Sequence, residues 1–130
     1  MTAWILAALA LYVAQTLLPP LFRFVLRSDP QILATLGPRD TSPELGLHGS
    51  RAERALGNMT EAMLVFLPLA LLAEGTGVTG AVFGAQLFVV ARVAYVPAYL
   101  LGVPGLRSAI WCVGVVGLVI MAAAVLGHGT

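Results

Sequence analysis

Apolar and polar positions divide this chain into four long hydrophobic runs joined by one extended polar segment and two tight turns. The first run is Ala3 to about Phe22. The second begins amphipathic at Arg51 and is fully apolar from Ala62 to Ala73. The third runs from Val78 to about Leu101, and the fourth from Leu106 to Leu126. Each approaches the ~20 residues needed to cross a bilayer core. The pattern predicts four membrane-spanning helices over 3–22, 51–73, 78–101 and 106–126, in a single domain covering 1–130. Ser28 to Gly49 holds Pro30, Pro38 and Pro43 and reads as a loop. Glu74-Gly75-Thr76-Gly77 and Gly102-Val103-Pro104-Gly105 read as turns. Pro19-Pro20 predicts a kink or an end to the first helix, and Pro68 a bend in the second. Ser50 with Glu53 three residues on predicts a capping box. The first run lacks a basic flank and continues past Leu17, so it reads as a retained span rather than a cleaved signal.

Composition sharpens this reading. Of 130 residues, 59% are hydrophobic and 10% charged, against about 25% charged in a soluble globular domain. That excludes a water-soluble domain, a disordered tail and a nucleic-acid binder. The expected fold class is an all-α integral membrane protein, a four-transmembrane-helix bundle in contact with lipid. The lone cysteine, Cys112, excludes an internal disulfide framework and a cysteine-based zinc site. It sits in an apolar run, where an inert packing role is expected. His48 and His128 fall at loop and tail positions and read as solvated. No metal-ligand spacing occurs in the sequence. Trp4 and Trp111 are candidate interface anchors, although Trp111 lies far from its helix end. Gly80 and Gly84 form a GxxxG pattern, and with Gly114 and Gly117 they permit close helix contact.

The net charge is +1, but all seven basic residues are Arg. In four antiparallel spans, Arg23, Arg27, Arg39, Arg51, Arg54, Arg92 and Arg107 all lie toward one side. The positive-inside rule makes that side cytoplasmic and puts both termini outside. For Arg23, Arg27 and Arg39, at the membrane edge or in the loop, a topology signal is a sufficient reading. Arg54 and Arg92 lie inside the apolar zone. An Arg at a span centre costs about 2.5–3.5 kcal/mol on insertion scales, so these two require partners.

The second span supplies some. Arg51, Arg54, Asn58 and Glu61 are spaced three, four and three apart. At about 100° per residue they fall within a sector of roughly 80°, a single polar stripe that leaves Glu53 aside. Arg92, Tyr95 and Tyr99 repeat the device in the third span, and Arg107 and Ser108 open the fourth. If these faces converge, they enclose a polar pocket at the Arg-rich end. A purely structural network, for example Glu61 paired with Arg92, is one reading of it. The excess of Arg over carboxylate favours another. Surplus buried positive charge asks for an anionic ligand, and the Arg fork binds both oxygens of a carboxylate. Glu61 is then free for a ligand ammonium. A small anionic peptide has this outline.

The segment Glu53-Arg54-Ala55-Leu56-Gly57-Asn58-Met59-Thr60-Glu61 through Phe66, Pro68 and Leu69 resembles the signature of the MAPEG family, membrane-associated proteins in eicosanoid and glutathione metabolism. Ala91-Arg92 through Tyr95 and Tyr99 to Arg107-Ser108 resembles the family's second block. Two motifs at matching separation extend the resemblance over nearly the whole chain. It implies a homotrimer of four-helix protomers in a bacterial inner membrane, with glutathione as co-substrate between subunits near the cytosolic face. By matching position it implies glutathione contacts at Arg51, Arg54, Asn58, Glu61, Arg92, Tyr95 and Tyr99, and thiol activation by Arg107 and Ser108. Gly57 departs from members with a basic residue there, and Tyr95 from members with His.

The implied chemistry is physically reasonable. A free thiol has a pKa of about 8.5, and the thiolate is the nucleophile. An adjacent cation lowers an acid's pKa by about 1–3 units. Arg107 is suited to that, and Ser108 to a hydrogen bond onto the thiolate. The expected activity is a glutathione-dependent transferase or peroxidase acting on a lipophilic electrophile. Two other classes compete: a small proton-coupled exporter using Glu61, and a non-catalytic membrane scaffold that binds a ligand. The several Arg on the same face count against the exporter, because they repel cations and hold Glu61 ionised.

Overall fold

The structure is a computed structural model, and it describes residues 1–24, 46–103 and 105–129. Among these residues the chain forms four helices: α1 (Thr2–Phe24), α2 (Leu47–Thr76), α3 (Ala81–Leu101) and α4 (Leu106–His128). Each is long and apolar enough to cross a membrane. The α2–α3 and α3–α4 connections are short enough to force antiparallel neighbours. Gly77 and Gly102 end their helices with φ of 70°, the left-handed conformation that glycine adopts without a Cβ penalty. Gly77 donates its N–H back to the carbonyls of Ala73 and Glu74. Arg27 and Arg39 lie outside the described residues, as does the side chain of Arg23.

One local expectation is corrected and another is narrowed. The capping box at Ser50 does not form, because α2 starts earlier, at Leu47 after Gly46. Ser50 N–H already donates to the Gly46 carbonyl at 3.0 Å, so Ser50 lies within the first turns and does not precede them. The His48 ring stacks on Phe22 of α1, with centroids 6.0 Å apart. At Pro19-Pro20, where a kink or an end is expected, α1 does not end but continues to Phe24. Each proline removes one backbone donor. In lipid, leaving the helix would strand many more backbone groups, so continuation costs less. Pro68 and Pro97 likewise lie inside α2 and α3.

Small side chains and polarizable fillers make the core. Ala8, Ala62, Ala70, Ala81 and Ala85 are buried with Met59, Met63 and Met121. The rings of Phe66 and Phe88 stack at 4.5 Å with an interplanar angle of 11°. Small residues let helix backbones approach where lipid supplies no hydrophobic drive between helices. The outer face is apolar: Leu6, Leu17, Leu64, Phe83, Val90, Leu101, Val119 and Leu126 are all exposed. Such a surface suits hydrocarbon or a neighbouring protomer and does not suit water. Cys112 is on this outer face and is not packed inside.

The ends of the bundle differ in character. At one, Glu74 near the end of α2 accepts from the Thr2 backbone N–H at 3.0 Å and from the Thr2 hydroxyl at 2.6 Å. The Met1 ammonium lies 3.2 Å from the same carboxylate. The first N–H groups of a helix have no partner of their own and favour negative charge, so α2 supplies the cap that α1 lacks. Replacing Glu74 by Ala is expected to speed amide hydrogen exchange in the first turn of α1 while leaving α3 unchanged. Exchange in α1 equal to that of the unaltered protein would show that the clamp carries no local stability. Arg51, Arg54 and Arg107 occupy the opposite end.

Candidate functional site

At that opposite end the polar faces of α2, α3 and α4 meet around an open chamber of about 440 Å³. This lies within the roughly 300–1,000 Å³ typical of small-molecule sites. α2 contributes Arg54, Asn58 and Glu61 from the predicted stripe, together with the backbone of Gly57 beside Asn58. From α3 come Tyr95 and Tyr99, and from α4 Arg107, Ser108 and Trp111. A second, smaller chamber of about 230 Å³ lies alongside. It shares Asn58, Glu61 and Trp111 with the first, and its other walls are Arg92 and the apolar Ala62, Val65, Val115 and Leu118. The polar space therefore continues into an apolar one.

Arg92 is the buried charged side chain among the described residues. It is only 3% exposed, and its Nη1 donates to Asn58 Oδ1 at 2.6 Å. Its Cζ lies 5.2 Å from the Phe88 ring centroid and 5.5 Å from that of Tyr95, within range of cation–π attraction. Nε is buried with no hydrogen-bond partner. Gly114 gives the guanidinium room, since a Cβ there would lie 3.7 Å from Nε. Among the described residues no ion pair joins Glu61 to Arg92. The amide partners Arg92 instead, and the Glu61 carboxylate is exposed at the shared boundary of the two chambers.

Arg107 stands at the mouth. Its Cζ lies 5.0 Å from the Tyr99 ring centroid, and the Tyr99 and Tyr95 rings meet at 5.4 Å. The tyrosines thus form an aromatic wall from exposed Arg107 inward to buried Tyr95. Arg51 is placed differently from the rest of its stripe. It does not line either chamber; its Nη1 donates to the Leu100 carbonyl at 2.8 Å. Trp111 lines both chambers. One sequence signal could have found it, because it follows Arg107 by four residues and so shares its helical face.

The sequence model of one family matches residues 1–127, and that family is MAPEG. The chain belongs to the MAPEG family. No protein of curated function matches it, and no solved structure does. MAPEG membership and four helices able to cross a bilayer make this a multi-pass integral membrane protein in a family associated with glutathione and eicosanoid metabolism. Residues of both MAPEG-like sequence blocks line the two adjoining chambers, Arg92 only the smaller one, while Arg51 lines neither. Among the described residues no group of three or more His, Cys, Asp or Glu is placed to hold a metal ion.

Proposed function

We propose that this MAPEG protein is a glutathione-dependent membrane transferase or peroxidase acting on a lipophilic electrophile. The observation that carries the reading is an open polar chamber, lined by two guanidiniums and one carboxylate, that continues into an apolar chamber. Arg54 takes a glutathione carboxylate, Glu61 the ammonium, and Asn58 and the tyrosines the peptide groups. Arg107 stabilises the thiolate and Ser108 donates a hydrogen bond to it. The apolar side, with Val65, Val115 and Leu118, receives the acceptor from the lipid. In the transferase reaction the thiolate sulfur bonds to the electrophilic carbon, and the leaving group departs or the opened oxygen takes a proton. In the peroxidase reaction two thiols become one disulfide, and their two electrons and two protons reduce a hydroperoxide to an alcohol and water.

The chamber is open, so a neighbouring protomer is needed to close it, and we place it between subunits of a homotrimer. The Arg-rich end faces the cytoplasm of a bacterial cell, with both termini outside. Equilibrium binding of glutathione to detergent-purified protein, followed by thiolate ultraviolet absorbance and native mass spectrometry, tests the reading. The expected result is saturable binding with a thiolate signal in a particle of three chains. Binding without a thiolate signal would favour a non-catalytic scaffold. Absence of binding would overturn the reading. A reporter fused near the C-terminus that reads cytoplasmic would reverse the topology.

A further inference from the structure

Arg51 belongs to the polar stripe of α2 by spacing, yet its guanidinium is spent on the end of α3. Nη1 donates to the carbonyl of Leu100, in the last turn of that helix. Helix-terminal carbonyls lack intrahelical donors and carry partial negative charge, so a cation there satisfies both. The guanidinium also lies against Gly102, the left-handed residue that ends α3. A Cβ at Gly102 would come within 2.5 Å of Arg51 Nη2, 2.6 Å of Cζ and 2.7 Å of Nη1. Arg51 thus fills the space that a side chain at 102 would take. Gly102 in turn donates its N–H to the Tyr99 carbonyl at 3.1 Å. The clamped turn is bounded by Tyr99 before it and Arg107 after it, the two side chains that meet at the chamber mouth.

We propose that Arg51 is a positioning residue. It fixes the α3–α4 turn and so sets the place of Arg107 against Tyr99, without touching the thiol ligand. This inference rests on the thiol-activating reading of Arg107 given above. It predicts an effect on turnover rather than on affinity, because misplacing an activating group by about 1 Å can cost on the order of a hundredfold in rate.

The test compares Arg51→Gln, Arg51→Lys and Gly102→Ala in the full chain, purified in detergent. Glutathione kinetics with a generic electrophile and limited trypsin cleavage after Arg107 are the two readouts. Arg51→Gln is expected to lower kcat about tenfold or more while KM for glutathione stays within about twofold. Cleavage after Arg107 should rise several-fold. Arg51→Lys keeps the charge and one donor and should recover much of both. Gly102→Ala both displaces the guanidinium and strains the left-handed turn, so it should lower kcat and raise cleavage at least as far as Arg51→Gln. A raised KM with unchanged kcat would make Arg51 a ligand contact and overturn the proposal. So would unchanged kcat together with unchanged cleavage. An unaltered protein with no thiolate signal would instead sink the proposed activity, and the trypsin comparison would still decide whether Arg51 holds the turn.

Discussion

Replacing Gly117 by alanine is expected to destabilise the folded protomer by about 1–3 kcal/mol, the usual cost of overpacking. A Cβ at 117 would lie 2.7 Å from the Gly84 carbonyl oxygen and 2.8 Å from the Phe88 backbone nitrogen. Both are backbone atoms, so no side chain can swing aside and α3 and α4 must separate. Gly84 is the reciprocal case. Its Cβ would lie 2.6 Å from the Gly117 carbonyl and 2.8 Å from Met121 Cγ. The damage would spread, because Phe88 stacks on Phe66 in the core and α4 carries Arg107 and Trp111 into the chamber. Gly75→Ala is the control. It lies inside α2 with nothing within 4 Å of a new Cβ, and it should be neutral or stabilising by about 0.5–1 kcal/mol. Unfolding followed by helical circular dichroism in detergent makes the comparison. If Gly117→Ala unfolds at the same temperature as the unaltered protein, the close approach of α3 and α4 is wrong.

Period and composition made the helices legible, and spacing made most of the chamber legible. Arg54, Asn58 and Glu61 line one cavity because a helix puts residues three and four apart on one face. Tyr95 with Tyr99 follows the same rule. What periodicity cannot supply is the partner across the gap. Asn58 takes Arg92 because its amide oxygen sits within 2.6 Å, a fact about the distance between α2 and α3 and not about either sequence. The same holds for Arg51, which shares the stripe by spacing but whose guanidinium meets the end of α3. Ser50 failed as a cap because a capping box reads only local residues. The extra turn of α2 also carries His48 onto Phe22 of α1, a contact between residues far apart in the chain. Gln15 of α1 shows the limit most plainly: it is buried, and its side-chain oxygen has no partner, yet nothing in its apolar run marks it.

Two substitutions should separate ligand binding from chemistry at the chamber. Arg54 lies on the α2 stripe and Arg107 on α4, and both line the same space. Removing Arg54 as Arg54→Ala deletes a charge-assisted contact worth about 1.5–3 kcal/mol. That corresponds to roughly a ten- to hundredfold loss of glutathione affinity. The rate at saturating thiol should change much less. Arg107→Ala should act on the ionised form of the ligand instead. Without the neighbouring cation, the bound thiol's pKa rises toward the free value of about 8.5. The thiolate fraction near neutral pH then falls, and kcat falls with it, while peptide affinity changes less. The sign is fixed by charge: a cation favours the thiolate, so its removal moves the inflection of the pH–rate profile to higher pH. Thiolate absorbance against pH reads the first effect, and steady-state kinetics with a generic electrophile reads the second. If Arg107→Ala leaves the thiol pKa and the rate as they were, activation falls to Ser108 or Tyr99, the polar groups beside it at the chamber mouth.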